Sequence, residues 1–127
     1  MTGLTFVAPP PGLSDLIDFE LYPVDGTTGL FTLEPAGVPD LKMFLLDAGV
    51  YLPDYRPAIT EDQAARIGAT GPDDVATFVI ANHRDGVTTV NLLAPIVVNN
   101  VTDMCAQIIL EDQDYEIRHW LKALSPA

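Results

Sequence analysis

Side chains that could act as nucleophiles are scarce in this sequence. Cys105 is the single thiol, and it lies between Met104 and Ala106 in an apolar run. A reactive thiolate needs a polar, electropositive environment, whereas a free cysteine among apolar residues packs as a small hydrophobic side chain. The two serines, Ser14 and Ser125, lie neither in a Gly-x-Ser-x-Gly turn nor close to a histidine. We therefore expect Cys105 in the core and no nucleophilic catalysis.

Metal-binding patterns are also weak. A zinc site needs about three or four ligands at a recognisable spacing, but His83 and His119 lie far apart in the sequence. We expect both imidazoles to be solvated or hydrogen-bonded. Asp112, Asp114 and Glu116 alternate as at the start of a calcium-binding loop, yet the glycine and the final carboxylate of such a loop are missing. The sequence therefore predicts no metal and no cofactor.

A catalytic pair of carboxylates is the remaining route to an enzyme. Asp15, Asp18 and Glu20 are close in the sequence and could include such a pair. General acid catalysis would require one of them to have a raised pKa in a buried cleft. Carboxylates along one loop and strand are more often surface residues, so we expect no enzymatic activity.

The charge balance limits the possible partners. Eighteen acidic residues face six basic ones, which gives a formal net charge of −12. Such a field repels nucleic-acid phosphates and anionic membrane surfaces, and it accelerates encounter with a basic protein. Solubility alone is the other explanation of the charge. There is no basic, apolar leader and no apolar run of ~20 residues, so we expect a cytoplasmic protein.

Prolines and glycines divide the chain into many short apolar or alternating runs, a pattern typical of strands joined by turns. The sequence predicts about eight strands, at residues 4–8, 18–23, 30–33, 41–47, 75–81, 88–93, 96–98 and 105–110. A capping box at Thr60 and Gln63 predicts one short helix, and Asp85-Gly86 predicts a hairpin turn. We predict Ile108 to Leu110 to be buried on both faces, while residues 112–124 could be helical or extended.

This pattern indicates a mainly β protein, with a small closed or nearly closed antiparallel β-barrel and one short helix. Residues 1–127 are expected to form a single domain. A closed sheet also protects its edges from pairing with other chains.

The most informative segment covers residues 91–99, Asn-Leu-Leu-Ala-Pro-Ile-Val-Val-Asn, which we name the signature segment. It is an apolar strand broken by Pro95, with Asn91 and Asn99 at its two ends. Asparagine side chains at these positions can hydrogen-bond the backbone groups that a proline leaves unpaired. We expect Asn91, Ala94, Pro95 and Asn99 to have structural roles, together with Gln107.

The signature segment closely resembles the Asn-Leu-x-Ala-Pro-Ile-Val-x-Asn run of the flagellar assembly factor FliW family. Four other segments resemble that family's motifs in the same order. They are Gly12-Leu13 with Asp15-Leu16 and Phe19, Pro53-Asp54-Tyr55, Ala106 to Leu110, and Tyr115 with Arg118 and Leu121. The matches span nearly the whole chain.

The resemblance implies a small β-barrel that binds proteins and has no active site. It implies two partners in the cytoplasm, newly made flagellin and the RNA-binding translational repressor CsrA. Release of flagellin would free the factor to capture the repressor and so restore flagellin translation. The resemblance also implies that the protein needs no cofactor and is monomeric when no partner is bound. A barrel that binds a small ligand in its interior is the alternative.

Contact residues are predicted in two segments. Pro53, Asp54 and Tyr55 form a stiff loop that could present a ring and a charge to a partner, although Tyr55 could equally pack over one end of the barrel. An acidic strip could face the basic repressor, or it could be a solvated surface. Its residues are Glu111, Asp112, Asp114 and Glu116.

Overall fold

The computed structural model describes residues 2–10, 16–38, 41–110 and 113–121. Nine strands occur in these ranges: β1 (Thr2–Phe6), β2 (Asp18–Pro23), β3 (Leu30–Pro35), β4 (Met43–Asp47), β5 (Val75–Arg84), β6 (Val87–Val90), β7 (Ile96–Asn99), β8 (Met104–Gln107) and β9 (His119–Leu121). The helices are α1 (Ala48–Tyr51), α2 (Glu61–Arg66) and a single 3-10 turn at Pro72–Asp74. The sequence predicted one helix, and it missed the short α1, which Asp47 caps by accepting a hydrogen bond from the Gly49 amide.

Seven strands close into a barrel in the order β4-β3-β2-β1-β8-β7-β5, and β5 pairs with β4 to complete the ring. The prediction of a closed, mainly β barrel is confirmed. The expectation of a purely antiparallel sheet was wrong, because β1 and β8 run parallel. A ring with an odd number of strands cannot alternate direction throughout, so at least one neighbouring pair must be parallel.

Strand β5 organises one side of the barrel. Its residues Phe78 to Ala81 pair with β4, and its opposite edge pairs first with β7 and then with β6. Strands β6 and β7 both run antiparallel to β5 and pair with successive stretches of this edge. The signature segment begins just after β6 and contains β7. The Asp85-Gly86 hairpin turn is confirmed, with both residues at positive φ (54° and 78°).

The barrel interior is filled by large apolar side chains. Phe6 and Phe19 meet edge to face, with ring centroids 4.9 Å apart. Eight other buried residues of the strands pack around them: Leu4, Leu21, Leu33, Leu45, Phe78, Ile96, Val98 and Cys105. Interlocking side chains of this size leave the interior as a packed core.

A second apolar layer lies on the outside of β4, β5, β7 and β8. Successive residues on these strands point to opposite faces, so Phe78 faces the interior while Val79 packs outside, and Ile96 and Val97 divide in the same way. The outer layer is covered by residues 51–69 and by the segment around Tyr115. The long apolar runs of the sequence therefore belong to strands that are buried on both faces.

Strand β8 ends earlier than predicted. Ile108 and Leu110 continue along the signature segment by donating their amides to the carbonyls of Pro95 and Leu93. Both side chains are buried, but Ile109 between them is 50% exposed, so the prediction of burial on both faces was wrong there. The outer layer covers one face of this stretch only. Of residues 113–121, the last three form β9, and the others include bends but no helix or strand.

In the described ranges, none of the helices combines the length and the apolar character that crossing a bilayer requires.

Candidate functional site

The loop of residues 52–60 runs over the outside of β5, and Tyr55 fixes its position. The Tyr55 hydroxyl donates a hydrogen bond to the carbonyl of Leu92 in the signature segment. Its ring meets Tyr115 edge to face, with centroids 5.0 Å apart. Of the predicted contact residues, Pro53 and Asp54 are exposed and Tyr55 is half-buried. Tyr55 therefore packs across one side of the barrel, which is the structural role that the sequence left open.

Burial raises the pKa of Tyr55 above its ordinary value of 10.0, and the neighbouring Tyr115 adds to the effect. The phenol consequently stays protonated, which is the state that can donate a hydrogen bond to the Leu92 carbonyl.

Three further contacts hold the 52–60 loop. The Gln113 side chain accepts a hydrogen bond from the Ala58 amide (2.8 Å) and donates one to the Ala58 carbonyl (3.0 Å). The Arg56 guanidinium donates to the Pro53 carbonyl at 2.6 Å. The predicted capping box is present, because the Thr60 hydroxyl accepts from the Gln63 amide while the Gln63 side chain accepts from the Thr60 amide. The loop is therefore held at both ends and in its middle.

Asn91 and Gln107 bond the backbone of the signature segment next to Pro95. Asn91 Oδ1 accepts hydrogen bonds from the amides of Leu93 and Ala94, at 3.0 and 3.1 Å. Gln107 Nε2 donates to the Ala94 carbonyl at 3.2 Å, and Pro95 is fully buried. These side chains bond the backbone of the stretch between β6 and β7, where pairing of the chain with β5 is interrupted.

Asn99, at the other end of the signature segment, bonds backbone groups that lie outside that segment. It is 2% exposed. Its Nδ2 donates to the Ile67 carbonyl at 2.8 Å, and its Oδ1 accepts from the amides of Val101 and Thr102 at 2.8 and 3.3 Å. Asn99 thus joins the end of helix α2 to the turn between β7 and β8.

The predicted acidic strip is described in part. Glu111 and Asp112 lie outside the described residues. Asp114 and Glu116 are exposed, on either side of the half-buried Tyr115. Glu116 Oε1 lies 3.1 Å from His119 Nδ1. Because Tyr115 contacts Tyr55, the described part of the strip, Asp114 and Glu116, lies beside the 52–60 loop.

Between the 52–60 loop, helix α2 and β5 lies a groove with a volume of 570 Å³. Tyr55, Pro57, Ile59 and Ala64 form its walls, and Val75 of β5 contributes to its floor. A second depression of 410 Å³ shares Tyr55, Pro57 and Val75 with it and extends the groove towards α1. Sequence reasoning missed this groove. The capping box indicated one of its walls, but the contact of Gln113 with Ala58, 55 residues away, has no local signal.

The side chains that could act as a nucleophile, a general base or a metal ligand lie in positions that do not favour those roles. Cys105 is fully buried, and burial, with a smaller contribution from Asp103, raises its pKa to about 12. His83 Nδ1 lies 2.7 Å from the Thr88 hydroxyl. Among the described residues, the buried polar side chains are Thr88 and Asn99, so no carboxylate there is fully buried. No group of three metal-ligating side chains comes together in the described ranges.

Glu20 accepts a hydrogen bond from the Tyr22 hydroxyl at 2.6 Å and is only half-buried. That hydrogen bond is the largest of the effects that raise the pKa of Tyr22. Asp18 is exposed, and Asp15 lies outside the described residues. Asp18 and Glu20 therefore lack the buried cleft that a catalytic pair requires.

Comparison with known proteins identifies the family. The family model described as FliW protein matches residues 2–121. The flagellar assembly factor FliW of Desulfitobacterium hafniense (strain Y51) is 33% identical over 113 residues, which cover 87% of this chain and 74% of that protein. The FliW of Geobacillus kaustophilus (strain HTA426) is 32% identical, and the match covers 87% of this chain and 78% of that protein.

A crystal structure of the flagellar assembly factor FliW superposes with a TM-score of 0.87 at 30% sequence identity. The superposition covers 94% of this chain and 84% of that one. Sequence and three-dimensional structure agree, and the chain belongs to the FliW family of flagellar assembly factors.

Proposed function

We propose that this protein is a non-catalytic regulator that binds a CsrA-type RNA-binding repressor and flagellin in the cytoplasm. Capture of the repressor would relieve its block on flagellin translation, and flagellin would compete for the regulator until it is exported. The observation that carries the proposal is the match of the FliW family model to nearly the whole chain.

The charge of the chain supports a basic partner. The formal net charge of −12 creates a negative potential that accelerates encounter with a positively charged protein. An RNA-binding repressor carries lysine and arginine to meet phosphates. Direct binding of this chain to RNA or to an anionic membrane is disfavoured by the same field.

We propose that the contact surface includes Pro53, Asp54 and Tyr55 together with Asp114 and Glu116. Contact between Tyr55 and Tyr115 places the two segments side by side, and the exposed carboxylates of Asp54, Asp114 and Glu116 then border one surface. Glu111 and Asp112, which lie outside the described residues, belong to the proposal on the sequence alone. The aromatic pair would supply a rigid centre and the acids a charged rim.

Calorimetric titration tests this function. The purified protein is titrated with the CsrA-type repressor and, separately, with flagellin of the same organism, at low and at high salt. We expect saturable binding at one protomer to one, with repressor binding that weakens as salt rises. Absence of binding to both partners by a folded protein would refute the proposal.

A triple variant, Asp54→Asn with Asp114→Asn and Glu116→Gln, tests the surface. We expect weaker repressor binding and a reduced salt dependence, because rim charges act mainly on the association rate. Unchanged affinity and unchanged salt dependence would place the contact elsewhere.

A small-ligand-binding barrel is the less favoured function. Such a protein needs a cavity in the barrel interior, whereas Phe6, Phe19, Leu33 and Leu45 fill it with side chains at most 2% exposed. The groove beside β5 lies in the outer layer.

A further inference from the structure

We infer that the groove beside β5 holds an apolar side chain of the RNA-binding repressor, within a segment that also carries lysine or arginine. The inference rests on the proposed function, since it names where that partner's segment binds. Four properties of the groove favour this occupant: its apolar lining, its pre-formed walls, its charge and its position.

The groove has an apolar lining at the part of β5 whose outer face is not fully covered by other residues. Val79 and Ala81 on the outer face of β5 are buried, at 0% and 7% exposure, but Val75 and Thr77 on the same face are only half-buried. Tyr55, Pro57, Ile59 and Ala64 surround the gap. Its volume of 570 Å³ falls within the range of sites that accommodate ligand groups. Filling the gap with a partner's side chain would remove this apolar surface from water.

The walls exist before a partner arrives. Tyr55 is bonded to the Leu92 carbonyl, Ala58 is held at both its amide and its carbonyl by Gln113, and helix α2 begins at a complete capping box. A surface that is already ordered loses little conformational entropy on binding. The groove can therefore contribute affinity without a folding cost.

The charge around the groove selects a basic segment. Glu61 lines the larger part and Asp47 the smaller part. Asp74 Oδ2 accepts a hydrogen bond from the Thr70 hydroxyl at 3.0 Å, which places a third carboxylate beside a lining residue. The one base among the lining residues, Arg56, donates to the Pro53 carbonyl. Carboxylates at the rim attract lysine and arginine and disfavour acidic segments.

The position is continuous with the proposed contact surface. Tyr55 forms a wall of the groove on one side and contacts Tyr115 on the other. A partner that lies against Asp54 and Asp114 would therefore reach the groove without leaving the protein surface. Of the two proposed partners, the RNA-binding repressor is the one that must be basic.

Two matched pairs of variants test the inference by titration with the repressor at about 0.15 M salt, where screening limits charge effects to roughly 8 Å. Ala64→Trp fills the groove, while Ala65→Trp places the same ring on the exposed face of α2, away from the lining. Glu61→Lys reverses a charge that lines the groove, while Asp62→Lys makes the same change beside it in the same helical turn. Circular dichroism and thermal unfolding check the fold of each variant.

We expect Ala64→Trp and Glu61→Lys each to weaken repressor binding about tenfold or more, as loss of an anchor site does. Ala65→Trp and Asp62→Lys should stay within about threefold of the parent. Equal affinities within each pair would overturn the inference and leave the proposed function standing. Loss of flagellin binding with repressor binding unchanged would also overturn it. Failure of the parent protein to bind either partner would instead refute the proposed function, and this inference with it.

Discussion

The hydroxyl of Tyr55 donates a hydrogen bond to the backbone carbonyl of Leu92, 37 residues away in the sequence. The contact joins two segments that resemble FliW motifs, the Pro53-Asp54-Tyr55 loop and the signature segment. One side chain thus caps the interrupted strand and forms a wall of the neighbouring groove. This hydrogen bond fixes the 52–60 loop against the signature segment of the barrel.

Tyr55→Phe is expected to lower the free energy of unfolding by about 1–2 kcal/mol, because the carbonyl of the buried Leu92 loses its partner. Chemical denaturation followed by the fluorescence of Trp120 measures the change. Tyr51→Phe is the matched control, since Tyr51 packs in the same outer layer and its hydroxyl has no hydrogen bond among the described residues. An equal effect of the two substitutions would mean that the hydroxyl bond contributes nothing.

Cys105 should make the folded protein less stable at alkaline pH. Burial raises the pKa of its thiol from 9.0 to about 12, so between these pH values the unfolded chain releases a proton that the folded chain retains. The free energy of unfolding should therefore fall as pH rises above 9, by up to about 1.4 kcal/mol per pH unit. The raised pKa of Tyr55 and of Tyr22 adds to the loss above pH 10.

Cys105→Ala separates the thiol from the tyrosines. Denaturation curves between pH 9 and 10 should lose most of their pH dependence in this variant, although its stability at neutral pH is lower because a buried side chain has been truncated. The thiol of the parent protein should also react with an aromatic disulfide reagent only after unfolding. Rapid labelling of the folded protein would contradict the buried position of Cys105.

Asn99→Asp should destabilise the protein by about 2–4 kcal/mol at neutral pH, because a buried carboxylate would face the Ile67 carbonyl in place of an amide donor. Burial raises the pKa of such a carboxyl group. Its protonated form can donate to Ile67, so part of the stability should return as pH is lowered. Asn100→Asp, at the exposed neighbouring position, is the control and should change stability little. Urea denaturation at neutral and at acidic pH distinguishes the two.

Gln113→Ala removes both side-chain bonds to Ala58. We expect the Ala58 amide to exchange its hydrogen about tenfold faster, while global stability falls by about 0.5–1.5 kcal/mol. Hydrogen exchange followed residue by residue makes the measurement. Asp114→Ala, at the exposed next residue, should leave the Ala58 rate unchanged. Equal exchange rates in the parent and Gln113→Ala would show that Gln113 does not hold the loop.

Local features were predictable where neighbours in sequence decide them. The capping box at Thr60 and Gln63 and the Asp85-Gly86 turn depend on residues within one turn of chain, and both are present. Strand β2 has the predicted bounds, since its alternation of apolar and polar residues matches the pleat. Asn91 also acts locally, since its Oδ1 accepts from the amides of Leu93 and Ala94 beside Pro95, whereas Asn99 donates to the Ile67 carbonyl, 32 residues away.

Features that depend on distant contacts were not predictable. Ile109 has two apolar neighbours, yet it is exposed, because the outer layer covers only one face of that stretch. The groove depends on Gln113 meeting Ala58 and on the gap above Val75. No sequence pattern around Ala58, Gln113 or Val75 predicts these contacts.

Motifs in a fixed order identify the family, periodicity predicts the mainly β fold, and composition sets the negative charge, and all three can be read along the chain. How the ring closes, with β1 parallel to β8, and the meeting of Tyr55 with Leu92 and Tyr115 become visible only in the folded molecule. Periodicity and turn residues act over a few residues. Strand direction in a closed ring and the approach of separate loops are settled by packing the whole chain around one core.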